Sequence, residues 1–281
     1  MLLPFTPRTT VSRTKSVFSN TSMSDSPFSD IAASYDAEFS ALPEVRRLRE
    51  RVYALAREFF PKRGLILELG CGTGVDARRL AEEGWEVVAS DPSSRMLAET
   101  RTACEELPTV YPLRMPAEHL ACVRDRSVDG VFSNFGALNC VRHLEPVLRD
   151  IYHVLPDNGV AILCLMNRFS ITETVAYLRR GRLREAFRRW RWKGVSVPVG
   201  HRHVLTWYHS LRSIKRMIRG RFTIVRVVGL NVLTPPPSFT HFHERAPRLM
   251  ALARRMERRL DTLPFFSVLG DHFVIVLERF E

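Results

Sequence analysis

Leu65-Ile66-Leu67-Glu68-Leu69-Gly70-Cys71-Gly72-Thr73-Gly74 is an apolar run that ends in a cluster of glycines, with Asp91 seventeen residues beyond it. The run reads as a buried strand. The glycines after it allow positive φ and leave no Cβ between the backbone and a ligand. The acid after the next strand, Asp91, is then placed to face a ribose, so the stretch predicts a nucleotide-like cofactor. The dinucleotide pattern G-x-G-x-x-G is not met, because Val75 stands where the third glycine belongs. A pyrophosphate also favours a positive helix end without competing carboxylates, whereas Glu68 precedes the turn and Asp76 follows it. Two acids suit a ligand that carries an amino group and a sulfonium.

Outward from this stretch the hydrophobic pattern alternates. Leu42, Val45, Leu48, Val52, Leu55 and Phe59 recur at helical spacing ahead of it. After the glycine turn, helices are expected over 77–83, 93–106 and 144–155, and strands over 85–90, 109–113, 128–134 and 160–166. Strands separated by helices imply parallel neighbours joined by right-handed crossovers, hence an α/β, doubly wound sheet. Beyond Asn167 the rhythm changes. A helix is expected over 172–192, another over 210–219, a strand over 221–230, a basic helix over 247–260 and a last strand over 272–278. The domain reading is a tail over 1–27, a cofactor-binding core over 28–167, and a basic cap with closing strands over 168–281.

The 281 residues hold 42 Lys and Arg against 30 Asp and Glu, a formal net charge of +12. Residues 1–167 carry about 19 basic and 22 acidic side chains, residues 168–281 about 23 and 8, so the whole surplus is C-terminal. That field suits an anionic substrate, an acidic carrier protein or a phospholipid surface. The five cysteines form no C-x-x-C pair, which indicates neither a disulfide framework nor a zinc site and makes a reducing, cytoplasmic compartment the expectation. No apolar run approaches the ~18 residues of a membrane span, so a soluble or membrane-peripheral protein is expected. Residues 1–22 lack acids and carry Arg8, Arg13 and Lys15 among Ser and Thr. This composition resembles an organelle transit peptide, but an upstream start, with Met23 as the natural alternative, or a disordered tail is the expectation ahead of it.

The stretch Leu65 to Gly74 resembles the first motif of class I S-adenosylmethionine-dependent methyltransferases, and Val87-Val88-Ala89-Ser90-Asp91-Pro92-Ser93 resembles their second. The likeness covers roughly residues 28–165. It implies a seven-stranded Rossmann-like sheet whose last strand is antiparallel, with helical C-terminal cap insertions, and S-adenosyl-L-methionine as cofactor. It places the backbone of Gly70, Cys71, Gly72 and Gly74 against the methionine and ribose, and gives Glu68 the task of ordering the turn. Asp91 would accept both ribose hydroxyls, with Pro92, Ser93 and Met96 near the adenine. Family members carry Asp-Ala-Glu after the third strand, but this chain has Pro116-Ala117-Glu118, leaving adenine selection to Ala117, Glu118 or packing. Asn134 and Phe135 resemble the segment that borders the transferable methyl, and Tyr35-Asp36 resembles a lid over the cofactor.

A sulfonium already activates its methyl, so a general base is needed only when the acceptor must lose a proton. His201, His203, His241 and His243 are the candidates in the presumed cap and connection, with His209 and His272 behind them. The two H-x-H pairs have no third ligand cluster, so no metal is expected. The Arg-rich segment 178–193, read as a helix, is the expected contact for an anionic membrane or acidic carrier. Nucleic acid is disfavoured by the absence of a recognition module. The resulting expectation is methylation of a small or lipid-like hydrophobic acceptor, with an RNA methyltransferase and a non-catalytic S-adenosylmethionine-binding protein as alternatives.

Overall fold

A computed structural model describes residues 26–236, 246–260, 263 and 265–280. Strands β1 (Leu65–Leu69), β2 (Glu86–Asp91), β3 (Val110–Arg114), β4 (Gly130–Ser133) and β5 (Val160–Met166) are joined by α3 (Val75–Glu82), α4 (Ser94–Ala103) and α5 (Leu144–Val154). The alternation read in the sequence is therefore present, with no end shifted by more than three residues. Two later strands, β8 (Phe222–Leu230) and β9 (His272–Arg279), complete a seven-stranded sheet in the order β3-β2-β1-β4-β5-β9-β8. β1 pairs in parallel with both β2 and β4, while β9 runs antiparallel between β5 and β8. This is the doubly wound arrangement with one reversed strand that the resemblance implied.

Both faces of the sheet are covered, which is why its strands read as near-continuous apolar runs. Along β5, Ile162 and Cys164 pack on one side, while Ala161, Leu163 and Leu165 pack on the other. β9 repeats the division with Val274 and Val276 against Phe273, Ile275 and Leu277. The first face is closed by α3, α4 and α2 (Pro43–Phe59), which delivers Leu48, Val52 and Ala56. The second is closed by α5 and α8 (Leu211–Met217), through Val147, Leu148, Ile151 and Ile214. Each such fully buried side chain contributes about 1.5–3 kcal/mol relative to leaving it in water.

The insertion between β5 and β8 departs from the all-helical cap. The single helix expected over 172–192 is instead α6 (Ile171–Leu178), a turn, the short α7 (Leu183–Ala186) and a 3-10 turn at Arg188–Trp190. Gly181 is the cause. It adopts φ +68° while its N–H donates to Leu178 O and the N–H of Arg182 donates to Tyr177 O, a Schellman stop that ends α6. The segment 178–193 is therefore not one helix. A hairpin follows, β6 (Val195–Val199) and β7 (Arg202–Thr206), turning through Gly200 at φ +55° and His201. Its strands are too short and too interrupted by Pro198 and Gly200 to stand out as a pattern. His201 lies in that turn and His203 on β7, both exposed. His241, His243 and the tail 1–22 lie outside the described residues.

Candidate functional site

The connections after β1 and β4 flank the point where strand order reverses, the crevice in which open α/β sheets hold ligands. Gly70 N–H and Cys71 N–H both donate to Ser90 O, at 2.8 and 2.9 Å, tying the glycine turn to the end of β2. Gly70, Gly72 and Gly74 all have positive φ, but for different reasons. A Cβ on Gly70 would stand 2.4 Å from the Cβ of Ala137, and one on Gly74 would stand 2.8 Å from Thr100 Cγ2. A Cβ on Gly72 would meet no atom within 4 Å. The outer two glycines thus permit close packing, whereas the central one leaves open space in the crevice.

Asp91 closes this cradle. Its Oδ2 accepts from Gly72 N–H at 3.1 Å and its Oδ1 from Ser93 N–H at 2.8 Å, which fixes the carboxylate plane and leaves lone pairs for a vicinal diol. Only 8% exposed, it is pushed by burial from 3.8 to about 6 despite those two hydrogen bonds. Two consequences carry opposite signs. A carboxyl with a raised folded-state pKa favours the fold below its unfolded value, so the unliganded protein loses stability as pH rises from about 4 to about 6. Binding of a ribose needs the ionised form, so cofactor affinity is expected to rise with pH through about 6 and level off above. Calorimetric titration with S-adenosylmethionine from pH 5 to 8 checks this, a flat profile counting against Asp91.

Beside the cradle lies a cavity of about 260 Å³ walled by Gly70, Pro92, Pro116, Ala117, Glu118 and Leu138. It joins the ends of β1, β2 and β3 to the segment after β4. Ala117 begins a 3-10 helix over Ala117–Cys122, so its N–H lacks an acceptor within that helix. Ser93 caps α4 by accepting from Met96 N–H, and its hydroxyl shares a 2.7 Å hydrogen bond with Ser29. Met96 itself is 2% exposed and turned inward. The Cys71 thiol is also buried, which raises its pKa well above the ordinary range and keeps it from acting as a nucleophile.

Under the turn sits a cluster of buried charge. Burial raises the Glu68 carboxyl well above the usual range, the charges of Asp76 and Asp91 add to this, and Arg49 offsets them. Its Oε2 has no hydrogen-bond partner among the described residues. Asp76, by contrast, is fully engaged. It pairs with Arg49, accepts from Tyr53 Oη at 2.5 Å and accepts from Asn134 Nδ2 at 3.2 Å. The sequence argument gave both acids to the ligand, but Arg49 neutralises Asp76 and burial biases Glu68 toward its neutral form, so Asp91 is the acid of the three held at the glycine turn with lone pairs to spare. Arg49 Nε also lacks a hydrogen-bond partner among the described residues. Glu68 Oε2 can receive an ammonium whose charge would draw the carboxyl back to its ionised form, and Arg49 Nε can receive a carboxylate, the two groups of an amino acid.

An arc of rings borders the other side. Tyr35 and Phe39 lie 5.5 Å apart, Phe39 meets Phe135 edge-on at 5.6 Å, and Phe135 meets His272 at 5.8 Å. Phe135 holds φ +46°, uncommon for a bulky residue, with its N–H on Asn134 Oδ1 and Arg49 stacked 4.8 Å from its ring centroid. Tyr35 is buried enough to raise its phenol to about 12. Asp36 accepts from Thr73 Oγ1 at 2.8 Å, so the segment over 27–40 is latched directly onto the glycine turn.

The sequence reading missed Arg49, gave Asn139 no role of its own, and placed His272 behind other histidines without seeing its network. Arg49 could have been found, since it occupies an apolar-face position of α2, four residues after Val45 and three before Val52. Asn139 accepts from Met166 N–H at 2.8 Å and donates to Met166 O and Trp207 O, clamping the post-β4 segment to β5 and the cap. His272 Nδ1 lies 2.9 Å from Asp271 Oδ2. Although burial works the other way, Arg189 and His272 hold the Asp271 carboxyl well below the usual range. Arg189 also pairs with Glu173, so one buried cation joins α6 to the start of β9. His209 is buried beside Arg168 and held near 4, hence neutral at physiological pH.

A model of the methyltransferase domain matches residues 66–159, which span β1 to the threshold of β5 and include the glycine turn, Asp91 and Phe135. Residues 66–159 are thus similar to a methyltransferase domain, and the strand order around them is that of the class I methyltransferase fold. YqeM of Bacillus subtilis strain 168, provisionally named a methyltransferase, is 28% identical over 116 residues, 40% of this chain and 47% of that protein. The match thus spans about half of YqeM's length. A methyltransferase structure from Methanosarcina mazei superposes with a TM-score of 0.57 at 16% identity, over 81% of this chain and 98% of that one. The 1,6-didemethyltoxoflavin-N1-methyltransferase of Burkholderia thailandensis, solved with its substrate and S-adenosylhomocysteine, superposes at 0.54 and 14% identity over 90% and 87%. These likenesses show a shared fold. No group of three or more potential metal ligands is assembled among the described residues. No helix among them is long and apolar enough to cross a membrane.

Proposed function

We propose that this chain transfers the methyl group of S-adenosylmethionine to a small or lipid-like hydrophobic acceptor. The observation that carries the reading is the pairing of an open crevice over Gly72 with a carboxylate, Asp91, fixed by Gly72 N–H and Ser93 N–H. The bound cofactor supplies a methyl that its sulfonium makes ready for in-line displacement. Asp91 holds the ribose, the cavity at Ala117 and Leu138 takes the base, and Glu68 and Arg49 hold the amino and carboxylate groups. Tyr35, Phe39 and Phe135 wall off water and fix the approach of the acceptor, which is where most of the rate is gained when chemistry needs only distance and angle. Their apolar faces support a hydrophobic acceptor.

If the acceptor carries a proton to be removed, His272 is the imidazole that the described residues bring against this arc, through Phe135. His201 and His203 sit in the exposed hairpin. The positive C-terminal third is what favours the second reading, an RNA acceptor. Incubation with S-adenosylmethionine labelled in its methyl group and a cell extract decides between them. The label is expected in the organic-soluble fraction. Label in RNA would contradict the hydrophobic acceptor, and label in no fraction would contradict turnover.

A further inference from the structure

The insertion after β5 leaves large apolar side chains on its outer side. Leu183, Phe187, Trp190 and Trp192 are 62%, 41%, 48% and 82% exposed. Trp190 stands edge-on to Phe187 at 5.2 Å and to Phe169 at 5.6 Å, so the rings form one patch. α6 extends it through Ile171, Val175 and Leu178, exposed at a spacing that places them on one helix face. The opposite side is held to the core. Arg189 bridges Glu173 and Asp271, and Ala176 and Ala186 are buried. The patch is thus presented on an anchored platform.

Its charge is one-sided. Arg179, Arg184, Arg191 and Lys193 are exposed and make no ion pair among the described residues. The two nearby carboxylates are already matched, Glu173 with Arg188 and Arg189, Glu185 with Arg182. A contiguous exposed apolar patch marks an interaction surface, and a rim of unmatched cations requires an anionic partner. The rings could stack on bases, but the exposed Leu183, Ile171, Val175 and Leu178 add aliphatic surface that a nucleic acid would leave unburied, which favours a lipid phase. Tryptophan beside arginine and lysine, with long aliphatic side chains between them, is the composition that settles at a lipid headgroup boundary.

We propose that this face docks the protein on an anionic phospholipid membrane, with Leu183, Phe187, Trp190 and Trp192 entering the headgroup region and Arg184 and Arg191 pairing with lipid phosphates. The inference does not depend on the methyl-transfer reading. It is tested by co-sedimentation of the full chain with phosphatidylcholine vesicles and with mixed phosphatidylcholine–phosphatidylglycerol vesicles. Partitioning to the mixed vesicles is expected to be at least about 10-fold stronger. The doubles Leu183→Ser/Trp192→Ser and Arg184→Gln/Arg191→Gln are each expected to lower it about 10-fold, with the melting temperature little changed because all four side chains are exposed and the loss in the first is that of Trp192 stacking on Arg168. Equal partitioning of the wild type and both doubles would overturn the proposal, as would binding that salt abolishes but the Leu183/Trp192 double does not weaken. Self-association, capture of an acidic protein or capture of RNA, in each case abolished by that double, would give the patch to another partner and overturn it too.

Discussion

Arg49→Met is expected to destabilise the protein by about 3–5 kcal/mol, the cost of leaving a buried carboxylate without its counter-charge. Asp76 would keep the hydroxyl of Tyr53 and the amide of Asn134, but neither carries charge. Glu68 would lose the one cation that offsets its burial. Phe135 would lose the guanidinium stacked on its ring. For a domain of this size the loss corresponds to a fall in melting temperature on the order of 10 °C. The double Arg49→Met/Asp76→Asn removes both charges and is expected to recover part of that loss, which separates charge imbalance from lost packing. A single variant that melts within a degree of the wild type would show that Asp76 is not held as described.

The glycine turn gives the second large effect, and its two positions separate fold from ligand. Gly70→Ala forces a Cβ to within 2.4 Å of Ala137, so the post-β4 segment must shift, and both stability and cofactor affinity are expected to fall. Gly72→Ala meets no protein atom, and its cost to the fold is that of holding Ala at φ +56°, about 1–2 kcal/mol. Its methyl nevertheless enters the crevice beside Asp91, so S-adenosylmethionine affinity is expected to drop at least about 100-fold, or about 2.7 kcal/mol. Thermal melts with and without cofactor check the pair. Gly72→Ala should unfold slightly early and gain no stabilisation from the ligand. Full ligand stabilisation in that variant would move the binding site away from the turn.

The core was legible because its residues obey local rules. β1 announces itself as an apolar run that stops at glycine, and β5, buried on both faces, has the bounds read from its hydrophobicity. The helix over Pro247–Leu260 likewise follows from Pro at its start and its amphipathic spacing. The cap was not legible for the opposite reason. A run of arginines favours helix by propensity at each position, and one Gly181 in the left-handed region outweighed them all. The hairpin over 195–206 carries only short alternation.

Site residues divide in the same way. Gly70, Gly72 and Asp91 are fixed by the strand ends they follow, so sequence order alone brings them together. Arg49, Asn139 and His272 act across more than 20 residues of chain, on Asp76, Trp207 and Phe135 respectively. The His272 contact arises where β9 inserts beside β5, and the other two arise where α2 and the insertion pack on the core, so no local spacing encodes the partners. The acid at position 76 shows the converse. Its place after the turn was read correctly, but the partner that removes it from the ligand was invisible without α2 packed against α3.

The central claim is that the crevice over Gly72 receives S-adenosylmethionine through Asp91. Calorimetric titration of the full chain at neutral pH, with S-adenosylmethionine in one series and a nicotinamide dinucleotide in the other, addresses it most directly. Saturable binding of S-adenosylmethionine, weakened by about 1–3 kcal/mol in Asp91→Ala, is the predicted result, with no heat from the dinucleotide. Binding of the dinucleotide in place of S-adenosylmethionine, or an Asp91→Ala variant that binds as tightly as the wild type, would contradict it.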